Sequence, residues 1–129
     1  MYKQINSVKE FYTVYKIGFK QEPTASLGDE KNLLRFNLMK EENEEYLEVV
    51  TNNNLTEIAD ALGDMLYILC GTIIEHGLQD KIEAVFDEIQ RSNLSKLDDF
   101  GNPICREDGK VMKGPNYFRP DIDKILNDI

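Results

Sequence analysis

Between Lys40 and Lys81 the chain carries ten carboxylates and not one Lys or Arg. That segment alone is −10 and the whole chain is −9, so everything else sums to +1. Eight of the ten acids fall in Glu41–Asp64, which reads EENEEYLEVV, TNNN, LTEIADALGD. Such a stretch restricts the fold, because its acids must face either water or each other. Leu38, Glu42, Glu45 and Val49 are separated by four, three and four residues, the step of one helix face. Glu42 and Glu45 thus share a stripe with two apolar residues and point towards a partner. Glu41 borders that stripe, while Glu44 and Glu48 lie further round and are expected in solvent. Asp60 and Asp64, one turn apart, share a face with Tyr67, Ile68 and Gly71.

The TNNN between these segments suits a tight connection, since Asn tolerates left-handed backbone and bonds to it through its side chain. So short a turn makes two helices antiparallel neighbours, and their inward acids then meet. Like charges held close in a partly apolar site repel, and burying them unpaired is costly. Protonation or a bound cation relieves this. Hard carboxylate oxygens suit Mg²⁺, Mn²⁺ or Ca²⁺ rather than zinc. A solvated helix face is the commoner meaning of an acidic run, but the apolar company of Glu42 and Glu45 argues against it here.

The remaining segments complete an all-α reading of four main helices and a short fifth. A first helix is expected from Ser7, with Ser7 and Glu10 as a capping box, and with Val8, Phe11, Tyr12, Tyr15 and Phe19 on one face. Gly18 and Pro23 should end it. The second spans about Asp29 to Val50. The third starts at Asn54, capped with Glu57, and closes at His76-Gly77. Asp80 and Glu83 should open a fourth helix that buries Ile82, Val85, Phe86 and Ile89. Residues 98–120 form a long loop, with turns at Gly109 and Gly114 and a short hairpin around Lys110–Lys113. Long loops are disproportionately functional. Pro120-Asp121 starts the last helix, with Ile122, Ile125, Leu126 and Ile129 on one face. We expect one domain over 1–129.

Several classes are disfavoured. The longest apolar run, Met65 to Cys70, is far short of the roughly 20 residues a membrane span needs. MYKQINSVKE has no apolar signal region. Cys70 and Cys105 have neither close spacing nor a nearby His, so free thiols and a cytoplasmic setting are expected. Acidity argues against a nucleic acid partner, whose phosphates would be repelled. No G-x-x-x-x-G-K-[ST] occurs, which excludes a P-loop enzyme. His76, at a helix C-terminus, suits the helix dipole and has no catalytic task.

The pattern E41-E42-N43-E44-E45, followed by A59-D60-A61-L62-G63-D64-M65-L66-Y67, resembles the all-α NTP pyrophosphohydrolase superfamily of MazG proteins, dimeric dUTPases and phosphoribosyl-ATP pyrophosphohydrolases. FDEIQRSNLSK, DGKVMKGPNYFRPDI and the weaker FYTVYKIGF…EPT resemble further segments of MazG-like members, so the likeness spans nearly the whole chain. One position departs from it. The superfamily usually places a Glu three residues before its final Asp, and aligned on Asp64 that position is Ala61. Asp60 could substitute from the same face. Glu57-x-x-Asp60 restores the formal pattern one turn away, although Glu57 is equally explained as a cap.

The resemblance implies an Mg²⁺-dependent enzyme, with Mn²⁺ a possible substitute. It would cleave a nucleoside triphosphate between the α- and β-phosphates, giving a monophosphate and pyrophosphate. Glu42, Glu45, Asp60 and Asp64 would hold the metal. Glu41 would bind a further ion or orient and deprotonate water. Asn93, Lys96 and Lys113 would meet phosphate oxygens, with Arg119 a weaker candidate. Tyr117 and Phe118 could close over a base or sugar, or plug the core. A homodimer or homotetramer follows from the resemblance as well. Phosphoribosyl-ATP is one possible substrate, a non-canonical or deoxy nucleotide another. A catalytically weak nucleotide-binding relative and a purely structural oligomer are the other classes.

Overall fold

The computed structural model describes residues 1–128. It is all-helical: α1 (Tyr2–Val14), α2 (Asp29–Thr51), α3 (Leu55–Glu75), α4 (Ile82–Leu94) and α5 (Ile122–Asn127). No helix among the described residues is long and apolar enough to cross a membrane. The chain divides into two compact units, with the division between Asp80 and Lys81.

In the first unit α3 is central, packing against both α1 and α2. The turn between α2 and α3 forms as its Asn residues require. Asn53 takes the left-handed conformation, with φ 57°, and the Asn54 side chain accepts a hydrogen bond from Glu57 N at 3.2 Å. This is one half of the expected capping box. Ile5, Val8 and Tyr12 of α1 are buried, as are Ala61, Cys70, Ile73 and Ile74 of α3. Phe11 meets Tyr67 edge-on with ring centroids 5.7 Å apart.

α1 begins five residues before the expected Ser7. Ser7 lies mid-helix, where its hydroxyl donates to Lys3 O at 3.1 Å instead of capping. The helix also stops earlier, at Val14, where Lys16 turns left-handed with φ 57°. The chain then returns to the end of α3 and is strapped there. Lys20 N donates to Ile74 O at 3.2 Å, Thr24 N to His76 O at 2.8 Å, and Gln79 Nε2 to Lys20 O at 2.7 Å. His76 Nδ1 lies 2.8 Å from Thr24 O, which gives the chain's single His a structural task.

Gly77 makes the strap possible. Its φ is +70°, and a Cβ there would stand 2.1 Å from Glu22 O. Gly77→Ala is therefore expected to cost about 1–2 kcal/mol from backbone strain alone, before any loss of the strap. Urea unfolding should show the lower midpoint; an unchanged midpoint would mean that the 20–24 segment moves aside freely.

In the second unit α4 is preceded by Lys81 as N-cap, with no side-chain cap bond, so the expected Asp80 start is too early. The expected apolar face of α4 is only partly covered. Ile82 and Val85 are half-buried, Phe86 and Ile89 are exposed, and Ser92 is the buried residue. Ser92 Oγ donates to Phe118 O at 2.8 Å, and Phe118 N donates to Ser95 Oγ at 3.1 Å, which fastens the 113–119 stretch to α4. The loop does contain a hairpin, but its pairing is Cys105 with Val111, and it turns at Gly109 with φ 91°. α5 starts as expected, with the Asp121 side chain accepting from Lys124 N at 3.2 Å. Ile122 and Ile125 are half-buried and Leu126 is exposed, while Ile129 lies outside the described residues. Cys70 is a buried free thiol and Cys105 an exposed one.

Candidate functional site

The acids gather on the facing sides of α2 and α3. Glu42 is the half-buried centre of the group. Its carboxyl is held above its ordinary pKa, first by burial and then by the charges of Asp64, Glu45, Glu41 and Asp60. Those five are the residues that helical spacing selects. Glu42 Oε2 is buried and has no hydrogen-bond partner. Its four neighbours are exposed.

Beside this group is an open cleft of about 560 Å³, lined by Glu41, Glu44, Glu45, Glu48, Val49, Glu57 and Asp60. Glu44 and Glu48 are exposed as expected, yet they also line the cleft. Glu44 has one weak partner, Lys40 Nζ at 3.8 Å on the surface. Glu57 lines the cleft too, so its capping position does not remove it from the acid group. Ala61 is completely buried. A carboxylate at that position would have no access to solvent, whereas Asp60, next to it in the chain, is exposed.

Among the described residues, no three His, Cys, Asp or Glu side chains lie close enough together to hold an ion as they stand. The donor chemistry nonetheless fits a hard divalent cation. The oxygens are all carboxylate, one is buried without a partner, and cation side chains are absent from the cleft lining.

The raised Glu42 carboxyl makes stability depend on pH. The folded chain binds its proton more tightly than the unfolded chain does. Its contribution to stability is fully present below the ordinary carboxylate pKa and is lost as pH rises through its own raised value. Without divalent cations, thermal stability should therefore fall on moving upward through that window, and Glu42→Gln should flatten the fall. Melting curves against pH for the two proteins check it.

The expected phosphate ligands lie in the second unit. Asn93 is exposed at the end of α4 and Lys96 is half-buried just after it. A Cβ on Gly114 would stand 2.1 Å from Leu97 O and 2.6 Å from Lys96 O, so the loop brings Lys113 beside Lys96 along the backbone. Lys113 Nζ lies 4.8 Å from the centroid of the Tyr117 ring, and Arg91 4.3 Å from that of Phe118. Both aromatics are thus engaged by cations within their own unit. Arg119 is exposed.

One buried group was not anticipated from the sequence. Glu75 is 2% exposed at the end of α3. Arg35 Nη1 pairs with its Oε2 at 2.8 Å, Tyr12 Oη donates to the same oxygen, and Lys31 Nζ lies 3.1 Å from Oε1. Arg35 also donates from Nε to Thr72 Oγ1 at 3.1 Å and from Nη2 to Ile68 O at 2.9 Å. The phenol of Tyr12 is pushed well above its usual range by burial and by the bond to Glu75. Arg35 continues the stripe of Leu38, Glu42, Glu45 and Val49 towards the start of α2, and that continuation was the available signal.

The model of the phosphoribosyl-ATP pyrophosphohydrolase family matches residues 8–93. The chain belongs to that family, which sits within the all-α superfamily that the acid motif resembles. An uncharacterized protein of Acanthamoeba polyphaga mimivirus is 53% identical over 64 residues, which are 50% of this chain and 26% of that protein. The chain therefore spans about a quarter of the length of this curated relative. A solved structure of a candidate NTP pyrophosphohydrolase from Exiguobacterium sp. 255-15 has 25% sequence identity and a TM-score of 0.47, with 97% of this chain and 93% of that chain covered.

Proposed function

We propose that the protein is a divalent-metal-dependent nucleotide pyrophosphohydrolase that cleaves a nucleoside triphosphate between its α- and β-phosphates. The observation that carries this reading is the buried, unpartnered Glu42 Oε2 among four further carboxylates. Family membership supports the reaction class. Mg²⁺ is the proposed ion and Mn²⁺ its substitute, held by Glu42, Glu45, Asp60 and Asp64. When bound, the ion supplies Lewis-acid polarisation of the phosphoryl oxygens and of a water. Glu41, exposed beside the group, orients that water and takes its proton. Asn93, Lys96 and Lys113 donate to phosphate oxygens as charge grows on the leaving pyrophosphate. The whole chain serves as one functional domain, acts on a free nucleotide in the cytoplasm, and works as a homodimer or homotetramer without nucleic acid or membrane.

The test is a panel of canonical, deoxy and modified nucleoside triphosphates together with phosphoribosyl-ATP, each with Mg²⁺ or Mn²⁺. Products are scored as pyrophosphate against orthophosphate. Pyrophosphate with a monophosphate is expected for one subset of the panel. Orthophosphate as the first product would overturn the α–β cleavage, and binding without turnover would point to a regulatory relative.

A further inference from the structure

The interface of α2 and α3 holds two polar groups on one seam. On α2 the seam runs Arg35, Leu38, Glu42, Glu45, Val49, in steps of three, four, three and four. On α3 it runs Asp60, Asp64, Ile68, Gly71, Glu75. Arg35 is bonded to Ile68 O, Thr72 and Glu75, while Glu42 feels Asp64 and Asp60. As the pairs advance along α2 they retreat along α3, so one register satisfies both groups. Seven residues separate Arg35 from Glu42, or about 10 Å of helix. Gly71 provides the notch: a Cβ there would stand 2.8 Å from both Arg35 Nη2 and Tyr12 Oη.

We propose that the buried Tyr12–Arg35–Glu75 cluster is the register key of this helix pair, a set of positioning residues that holds Glu42 and Glu45 opposite Asp60 and Asp64. The proposal rests on reading the acid group as a cation site. Acids cannot set this alignment themselves, because they repel until a cation arrives. Apolar contacts such as those of Leu38 and Ile68 are non-directional, and a repeating seam offers a second fit one turn, about 5.4 Å, away. The planar fork of Arg35 accepts only one fit, since its three partners on α3 have fixed directions. Burying an ion pair is weak evidence for stability but an attested way to specify register. The cluster thus supplies the directional information that the acid group lacks.

The test replaces the cluster by apolar residues of similar size, in the triple variant Arg35→Met, Tyr12→Phe, Glu75→Leu. Spin labels at the exposed positions 43 and 62, in a Cys105→Ser background, report the α2–α3 distance, and titration with Mn²⁺ reports the acid group. We expect the variant to stay helical and melt no lower than the parent. Its label distance should shift or broaden by about one turn, and Mn²⁺ affinity should fall about 10- to 100-fold. A folded variant with the parental distance and affinity would overturn the proposal. Arg35→Lys keeps the buried charge and loses the fork; it should broaden the distance in the same way, and it decides the matter if the triple variant does not fold. If the parent binds no Mn²⁺, the cation reading falls, whereas the label distance still tests the register key.

Discussion

Glu42→Ala is expected to reduce metal-dependent pyrophosphate release by about a hundredfold or more, and at the same time to leave the cation-free protein as stable as the parent or more so. The two effects have opposite signs for one reason. The Glu42 carboxylate is half-buried, has an oxygen without a partner, and stands among Asp64, Glu45, Glu41 and Asp60. Removing it relieves repulsion in the folded chain while deleting the central one of the proposed ligands. Mg²⁺ or Mn²⁺ should stabilise the parent and not the variant, because an ion stabilises only the state that binds it. Melting curves with and without the ion, alongside the product assay, separate the two effects. A variant that keeps parental turnover would remove Glu42 from the site. One that melts well below the parent would show that the carboxylate has a favourable partner.

Glu75→Ala is expected to be the most damaging single change to stability, at about 3–5 kcal/mol. It strips the main counter-charge from Arg35, which is 8% exposed and cannot reach water without opening the α2–α3 seam. Tyr12 Oη loses its acceptor in the same step. Glu75→Gln should cost less, since an amide oxygen still accepts from Tyr12 and only the charge is lost. Urea unfolding with an unchanged m-value measures both. If Glu75→Ala were as mild as a surface substitution, the guanidinium would have to be solvated, contrary to its burial.

The hairpin was legible because its signals are local. Asn54 caps α3, Asn53 turns left-handed, and helical spacing alone places Glu42 and Asp64 on facing sides. Where a local signal had a second meaning it misled. Ser7 and Glu10 have the spacing of a cap, but a helix that opens at Tyr2 uses the Ser7 hydroxyl on the carbonyl of Lys3. Periodicity marked Phe86 and Ile89 as one apolar face, yet period reports which residues lie together and says nothing of whether anything covers them. Glu75 was hidden for a third reason. In an acidic run it is one more carboxylate, and its partners Arg35 and Tyr12 lie 40 and 63 positions away in the chain. No pattern within a helix's length encodes such a contact.

The strap over the end of α3 bears on how the chain can vary. Residues 15–28 are the kind of surface connection where insertions usually do little harm. Here four backbone and side-chain bonds tie Lys20 and Thr24 to Ile74, His76 and Gln79, and Gly77 lies under Glu22. Adding one residue between Lys20 and Thr24 would put the two ends of the strap out of step with α3. The hairpin tip at Arg106–Gly109 is exposed on all sides and bonded mainly to itself. Variation in length across descendants of this chain should therefore accumulate at the tip and be excluded from the connection.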